Sequence, residues 1–241
     1  MFAIFFRNFL KAAFQRKTAW LLYFVAPLAT FIVMFLLLSL NESAGFAAVQ
    51  AVGMVLYLTM MQAVLIVSNI LRDREQGVSV RITLAPASRL SYVAGNGLAA
   101  LLVLTIQVLL VSTFIALVLP AGSGLAFLPL LFVLATFNLM CIGFGFLVCA
   151  LAETSSGAIM LANILVLSTS LLGGSFIPVE FMGASLQKLA IVFPQFWAMR
   201  ALRQLQSGVD LAQALLSLLI VFLFGLLFLA AQAALRRRNT H

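Results

Sequence analysis

The sequence predicts an all-α integral membrane protein with six membrane-spanning helices, and three observations lead there. Of its 241 residues, 64% are hydrophobic and 8% are charged, against roughly 45–50% apolar and about 25% charged in a soluble domain. The mean hydropathy of +1.20 leaves lipid as the solvent that suits such a surface. Uncharged runs long enough to cross a hydrocarbon core about 30 Å thick, a task for about 20 helical residues, recur along the chain. Residues 1–241 therefore read as a single transmembrane domain.

Phe2, Phe5, Phe6, Phe9, Leu10, Ala13 and Phe14 recur at helical spacing, with Arg7, Asn8, Lys11 and Gln15 between them. Residues 1–17 are thus expected to form an amphipathic helix along the membrane interface, ending at Arg16 and Lys17. The simpler reading is a basic flank that only orients the first span. Spans are expected over residues 18–41 and 43–71. The run 90–152 is too long for one helix and divides at the turn-forming cluster Pro120-Ala121-Gly122-Ser123-Gly124, giving a third and a fourth. Residues 154–177 make the fifth and 211–235 the sixth. No cleaved leader is expected, because the first apolar run exceeds a signal core and no small-x-small site follows it.

An even number of spans puts both termini on one side. That side holds Arg7, Lys11, Arg16, Lys17, Arg72, Arg74, Arg81, Arg89, Arg236, Arg237 and Arg238, while the other holds Lys188, Arg200 and Arg203. Eleven against three, under the positive-inside rule, places both termini and residues 72–90 in the cytoplasm and residues 178–210 outside. The net charge of +8 is spread over span ends rather than gathered on one face, which suits lipid headgroups and speaks against nucleic acid.

What the spans lack narrows the class. All six acidic residues, Glu42, Asp73, Glu75, Glu153, Glu180 and Asp210, fall in loops or at span ends, whereas ion-coupled carriers place ionisable groups inside the membrane. No G-x-x-x-x-G-K-[ST] loop is present and no soluble stretch is large enough for a nucleotide-binding domain, so any ATP hydrolysis belongs to another chain. Catalytic constellations are absent and the sole histidine, His241, is terminal, so neither an enzyme nor a metal site is expected. A pore is disfavoured by the lack of charge rings or a filter-like loop. Cys141 and Cys149 lie about 12 Å apart along one helix, too far for a disulfide. Gln50, Gln62, Asn69, Asn96, Gln107, Asn138 and Asn163 are polar residues within spans. Each either bonds a neighbouring helix or lines a pathway.

Two segments carry more specific information. Arg72-Asp73-Arg74-Glu75 leaves the second span, Gly77 can turn the chain, and Pro86 limits any helix that follows. This loop is the one sizeable cytoplasmic handle on which a soluble protein could push; an interhelical turn with orienting charges is the alternative. Residues 176–204 are too apolar for a free loop and too broken by Gly, Pro and charge for a full span. Short helices re-entering the outer leaflet explain both properties. Trp197 suits an interfacial anchor, and Glu180 and Arg203 either pair or are solvated.

Together these residues resemble the type-two ABC exporter permease family, over essentially the whole chain. Arg74-Glu75-Gln76-Gly77, with Pro86 nine residues on, is similar to the family's R-E-x-G-T…P stretch, Val78 standing where Thr is usual. Gly173-Gly174-x-Phe176-x-Pro178-x-Glu180 and then Pro194…Ala201-Leu202-Arg203 are similar to its G-x-x-F-P…P…A-L-R pattern. Gly183 stands where a second Pro is common, and Gln195-Phe196 replaces Leu-Thr or Leu-Ser.

The resemblance implies the type-two exporter permease fold in a bacterial cytoplasmic membrane. It implies two ATPase subunits that bind ATP and Mg, and a second permease half, identical or paralogous. It implies a coupling helix engaging the ATPase through Arg74, Glu75, Gly77, Arg81 and Pro86. The second and fifth spans would face their counterparts across a dimer axis, with Tyr57, Met61, Asn163 and Ser168 along the substrate route. An outer gate would include Phe176, Pro178, Glu180 and Pro194. The implied activity is export of a hydrophobic or amphiphilic substrate such as a lipid, lipopeptide, drug or antibiotic. The alternative from the residues is a non-transporting membrane sensor or assembly partner that uses the same loop to hold a soluble protein.

Overall fold

The computed structural model describes residues 20–77, 89–119, 125–208 and 211–238. The expected interfacial helix over 1–17, and Arg81 and Pro86 of the loop, lie outside the described residues. The helices are α1 (Leu21–Ser39), α2 (Ala44–Val67), α3 (Asn69–Glu75), α4 (Arg89–Val118) and α5 (Phe127–Leu151). They continue with α6 (Ser155–Leu172), a 3-10 turn at Val179–Phe181, α7 (Ala184–Ala190), α8 (Pro194–Gln206) and α9 (Leu211–Arg238). Six stretches are long and apolar enough to cross a membrane: Leu21–Ser39, Ala44–Glu75, Ala94–Val118, Phe127–Leu151, Ser155–Leu172 and Leu211–Leu235. They coincide with the six runs read from the sequence, apart from their ends. The second continues past Leu71 to Glu75, interrupted at Ser68. The fifth stops at Leu172, because two glycines close it before the apolar run is over.

α2 is the hub. Of its most apolar stretch 72% is buried, against 17% for α1 and 28% for both α6 and α9. It packs on α1, α4, α5, α6 and α8, while α9 lies against α5 and α8. Small residues permit the closest crossing: a Cβ on Gly143 of α5 would sit 2.6 Å from the carbonyl oxygen of Gly225 on α9. Such contact is what drives helix association where lipid tails are as apolar as the side chains.

Some of the buried amides do link helices. Gln107 on α4 donates to Thr59 Oγ1 on α2 at 3.2 Å, and Asn138 on α5 donates to Thr105 Oγ1 on α4 at 3.4 Å. Asn69 and Asn163 instead donate to carbonyls of nearby residues in their own chain segment, Ile66 and Ile159.

Gln62 has a task set by a proline. α1 opens as a π-helix over Leu21–Val25, in which Ala26 N–H bonds the Leu21 carbonyl. Continuing that pattern, the Leu22 carbonyl would await the N–H of residue 27, and Pro27 has none. Gln62 Nε2 supplies the donor from α2 at 2.5 Å. Cys141 is buried, Cys149 is half-buried, and both are free thiols.

Candidate functional site

α2 is about 36 Å long, and the residues of interest gather at its two ends. At the first end, α6 closes in a Schellman motif. Ser175 N–H bonds the Ser170 carbonyl at 2.9 Å, Gly174 N–H bonds the Leu171 carbonyl at 3.4 Å, and Gly174 holds φ at +85°. Only glycine takes that left-handed conformation at little cost. The turn then presses onto α2. Gln50 Nε2 donates to the Ser175 carbonyl at 2.9 Å and to the Gly174 carbonyl at 3.3 Å. One helical turn on, Gly53 has no side chain to hold the Ser175 backbone away.

The chain leaving this turn carries the expected gate residues. Phe176 packs edge-on to Tyr57 of α2, with ring centroids 5.1 Å apart. Pro178 is buried and leads into the 3-10 turn, where Glu180 forms an ion pair with Arg203 of α8. Of the two readings left open for that pair, the ion pair is the one observed. Pro194 is buried at the first turn of α8, where its missing N–H costs nothing. Trp197 donates through Nε1 to the Ile191 carbonyl at 2.8 Å, fixing α8 against the end of α7.

Gln195 is fully buried and donates to Thr169 Oγ1 of α6 at 2.8 Å, with Met60 Sδ of α2 at 3.1 Å. It thus joins α8, α6 and α2, a role that the sequence signalled only as a departure from Leu. Its Oε1 has no hydrogen-bond partner among the described residues, and Thr169 Oγ1 keeps its own acceptor in the Val166 carbonyl at 3.3 Å. Removing the unpaired acceptor is a gain, against which stands the donor that other buried groups lose. Gln195 Nε2 also reaches the buried Ser170 hydroxyl at 3.4 Å, which Leu leaves without a partner among the described residues, so Gln195→Leu should cost about 1–3 kcal/mol, as thermal unfolding in detergent would measure. No measurable loss would mean that packing, rather than the amide, holds α8 in place.

At the other end, α3 carries the described coupling residues. Arg74 and Glu75 are exposed, and Gly77 holds φ at +71° where the helix ends. Glu75 accepts two hydrogen bonds from Ser155 at the start of α6: from its N–H at 2.5 Å and from its hydroxyl at 2.9 Å. A carboxylate is well placed there, since a helix N-terminus offers unpaired N–H groups and the positive end of its dipole. Thr154 caps the same helix by accepting from Gly157 N–H at 3.0 Å. Asp73 accepts a hydrogen bond from the Tyr92 hydroxyl, just before the span Ala94–Val118. Burial first, and the Asp73 carboxylate second, push the Tyr92 phenol above its usual pKa, so it stays a neutral donor. The segment that enters the loop is thereby tied to the first turns of both α4 and α6.

The expected pathway residues divide. Tyr57 is half-buried and Met61 is buried, both on α2. Asn163 and Ser168 lie on the exposed side of α6 with Met160, Ile164, Leu167 and Leu171. Ser155, Asp73 with Tyr92, and Gln195 were not among the residues that the sequence singled out. For Ser155 the one local signal is the Thr154-Ser155 pair ahead of an apolar run, a helix-start pattern.

Six apolar helices, one of them the buried hub α2, make a multi-pass membrane protein. The chain belongs to the ABC-2 type transporter family, whose model matches residues 1–207, and is a permease component of an ABC transporter rather than a catalyst in itself. It is similar to the linearmycin resistance permease protein LnrN of Bacillus subtilis (strain 168), with 29% identity over 167 residues. That match spans 68% of this chain and 40% of the relative's length.

Proposed function

We propose that this chain is the membrane half of an exporter powered by ATP that a separate ATPase subunit, present in two copies, binds with Mg and hydrolyses. A second permease half, identical or paralogous, completes the transporter in a bacterial cytoplasmic membrane, with both termini in the cytoplasm. The cargo is a hydrophobic or amphiphilic molecule, a lipid, lipopeptide or antibiotic. The relative's name, a linearmycin resistance permease, supports an antibiotic as cargo.

The observation that carries this reading is the pair of hydrogen bonds from Ser155 to Glu75. Glu75 is the last residue of the helix entering the loop, so a push on that loop is delivered to the start of α6. Arg74 and Gly77, with Arg81 and Pro86 further along the sequence, are the other coupling residues. α6 in turn carries Asn163 and Ser168 on its outward side, facing its counterpart in the second half. Tyr57 and Met61 contribute from α2, and the re-entrant stretch with Phe176, Pro178, Glu180 and Pro194 closes the route on the outside.

Cysteines placed at Asn163 and Ser168 test this in native membrane vesicles. Labelling by a water-soluble maleimide is expected to change when ATP and vanadate trap the ATPase. Equal labelling with and without nucleotide would sink the pathway assignment. In parallel, reversing charge at Glu75 and Arg81 together is expected to reduce co-purification of the ATPase or its transport-coupled hydrolysis. If both survive, the coupling assignment is wrong.

A further inference from the structure

A cavity of about 910 Å³ opens at the end of the bundle opposite Glu75. Three elements wall it: the first turns of α2, the 3-10 turn, and α8. Its charged lining is Arg200, Arg203 and Glu180, two cations against one anion.

The polar groups around it are incompletely used. Arg203 pairs through Nη1 with Glu180, while its Nη2 is covered and has no hydrogen-bond partner among the described residues. The Arg203 side chain is 29% exposed and lines the cavity. Gln50 is 3% exposed and its amide nitrogen is held by the Gly174 and Ser175 carbonyls. Flipping the amide would set oxygen against those two oxygens, so Oε1 is fixed on the remaining side. It too lacks a partner among the described residues. α2 begins in the same wall, with the positive end of its dipole. The other surface is apolar: Phe46, Val49, Phe196 and Met199.

We propose that this cavity binds the headgroup of an anionic, hydroxyl-bearing amphiphile from the adjacent leaflet. The guanidinium groups of Arg200 and Arg203 take the anionic oxygens, since a planar fork suits phosphate. Gln50 Oε1 accepts from a headgroup hydroxyl, and the chains leave along Phe46 and Phe196. A phosphoglycerol headgroup supplies both an anion and hydroxyl donors. Phosphocholine carries a balancing cation and has no donor to give Gln50. The site is independent of the export reading, because binding requires neither the ATPase nor nucleotide.

Trp197 provides the readout. Arg200 lies over its ring at 5.4 Å, and Trp20 is the other of the two tryptophans, so Trp20→Phe leaves one reporter beside the cavity. The full-length protein in detergent is titrated with short-chain phosphatidylglycerol, with phosphatidylcholine of the same chain length, and with inorganic phosphate. A saturable change in emission is expected with phosphatidylglycerol at about tenfold lower concentration than with phosphatidylcholine. Arg203→Gln and Arg200→Gln are each expected to raise the phosphatidylglycerol midpoint about tenfold. Arg200→Gln leaves the Glu180 ion pair intact and so decides the matter if Arg203→Gln fails to fold. Equal midpoints for the two lipids, or a midpoint that Arg200→Gln does not move, would overturn the proposal. Saturation by inorganic phosphate at the lipid's concentration would overturn it as well, since a small anion would then suffice.

Discussion

Gly53→Ala is expected to destabilise the protein by about 1–3 kcal/mol, the usual range for an overpacked site, although it adds a single methyl group to a helix. The new Cβ would stand 2.5 Å from the Ser175 carbonyl oxygen, 3.1 Å from Ser175 Cα and 3.2 Å from Met199 Cε. The methionine methyl can swing aside. The Ser175 carbonyl cannot, because Gln50 holds it at 2.9 Å and the Schellman turn holds the residue from the other side. The turn must lift from α2, and the Tyr57–Phe176 ring contact opens with it. Gly183 serves as the comparison, since an added Cβ there meets nothing within 4 Å. Gly183→Ala should stay within about 0.5 kcal/mol of the parent. Thermal midpoints of the two purified variants give the test, and indistinguishable midpoints would contradict the packing argument.

The second large effect is functional rather than structural. Glu75→Ala is expected to reduce transport roughly tenfold, on the scale of a 1–3 kcal/mol coupling between sites, and Ser155→Ala, which keeps the backbone N–H bond and loses the hydroxyl one, by a smaller factor. Association with the ATPase should persist in Ser155→Ala, because Ser155 lies on α6 rather than in the loop. Glu75 is exposed, so the thermal midpoint should barely move in Glu75→Ala. The double variant should transport as well as Glu75→Ala alone, since Glu75→Ala already removes both hydrogen bonds and Ser155→Ala removes only the hydroxyl one. Losses that multiply in the double variant would show that Glu75 and Ser155 act separately, and the mechanical link would fall.

The spans were legible because the bilayer imposes a length and a composition that the bare sequence must display. The run beginning at Ser43 and the helix beginning at Ala44 agree, with Ser43 accepting from Phe46 N–H as a cap would. The glycine pair after α6 was legible as a break, and its left-handed Gly174 gives the physical cause. What stayed hidden depends on partners far apart in the chain. Glu75 and Ser155 are 80 residues apart, and Gln50 and Ser175 are 125 apart; no local spacing announces either pair. Gln62 read as one more polar residue in a span, since its use follows from a π-turn and a proline in another helix. Gln195 read as a departure from Leu, whereas burial between three helices makes it a junction.

The burial of α2 has a mechanical meaning. A rod gripped over most of its surface by α1, α4, α5, α6 and α8 has little room to bow or roll. It behaves as a stator: the Gly174 turn bears on one end, and the helix carrying Glu75 continues from the other. Under the proposed coupling, a stroke on the loop is borne by this axle and the working displacement is left to α6, whose outward side no described residue of this chain covers.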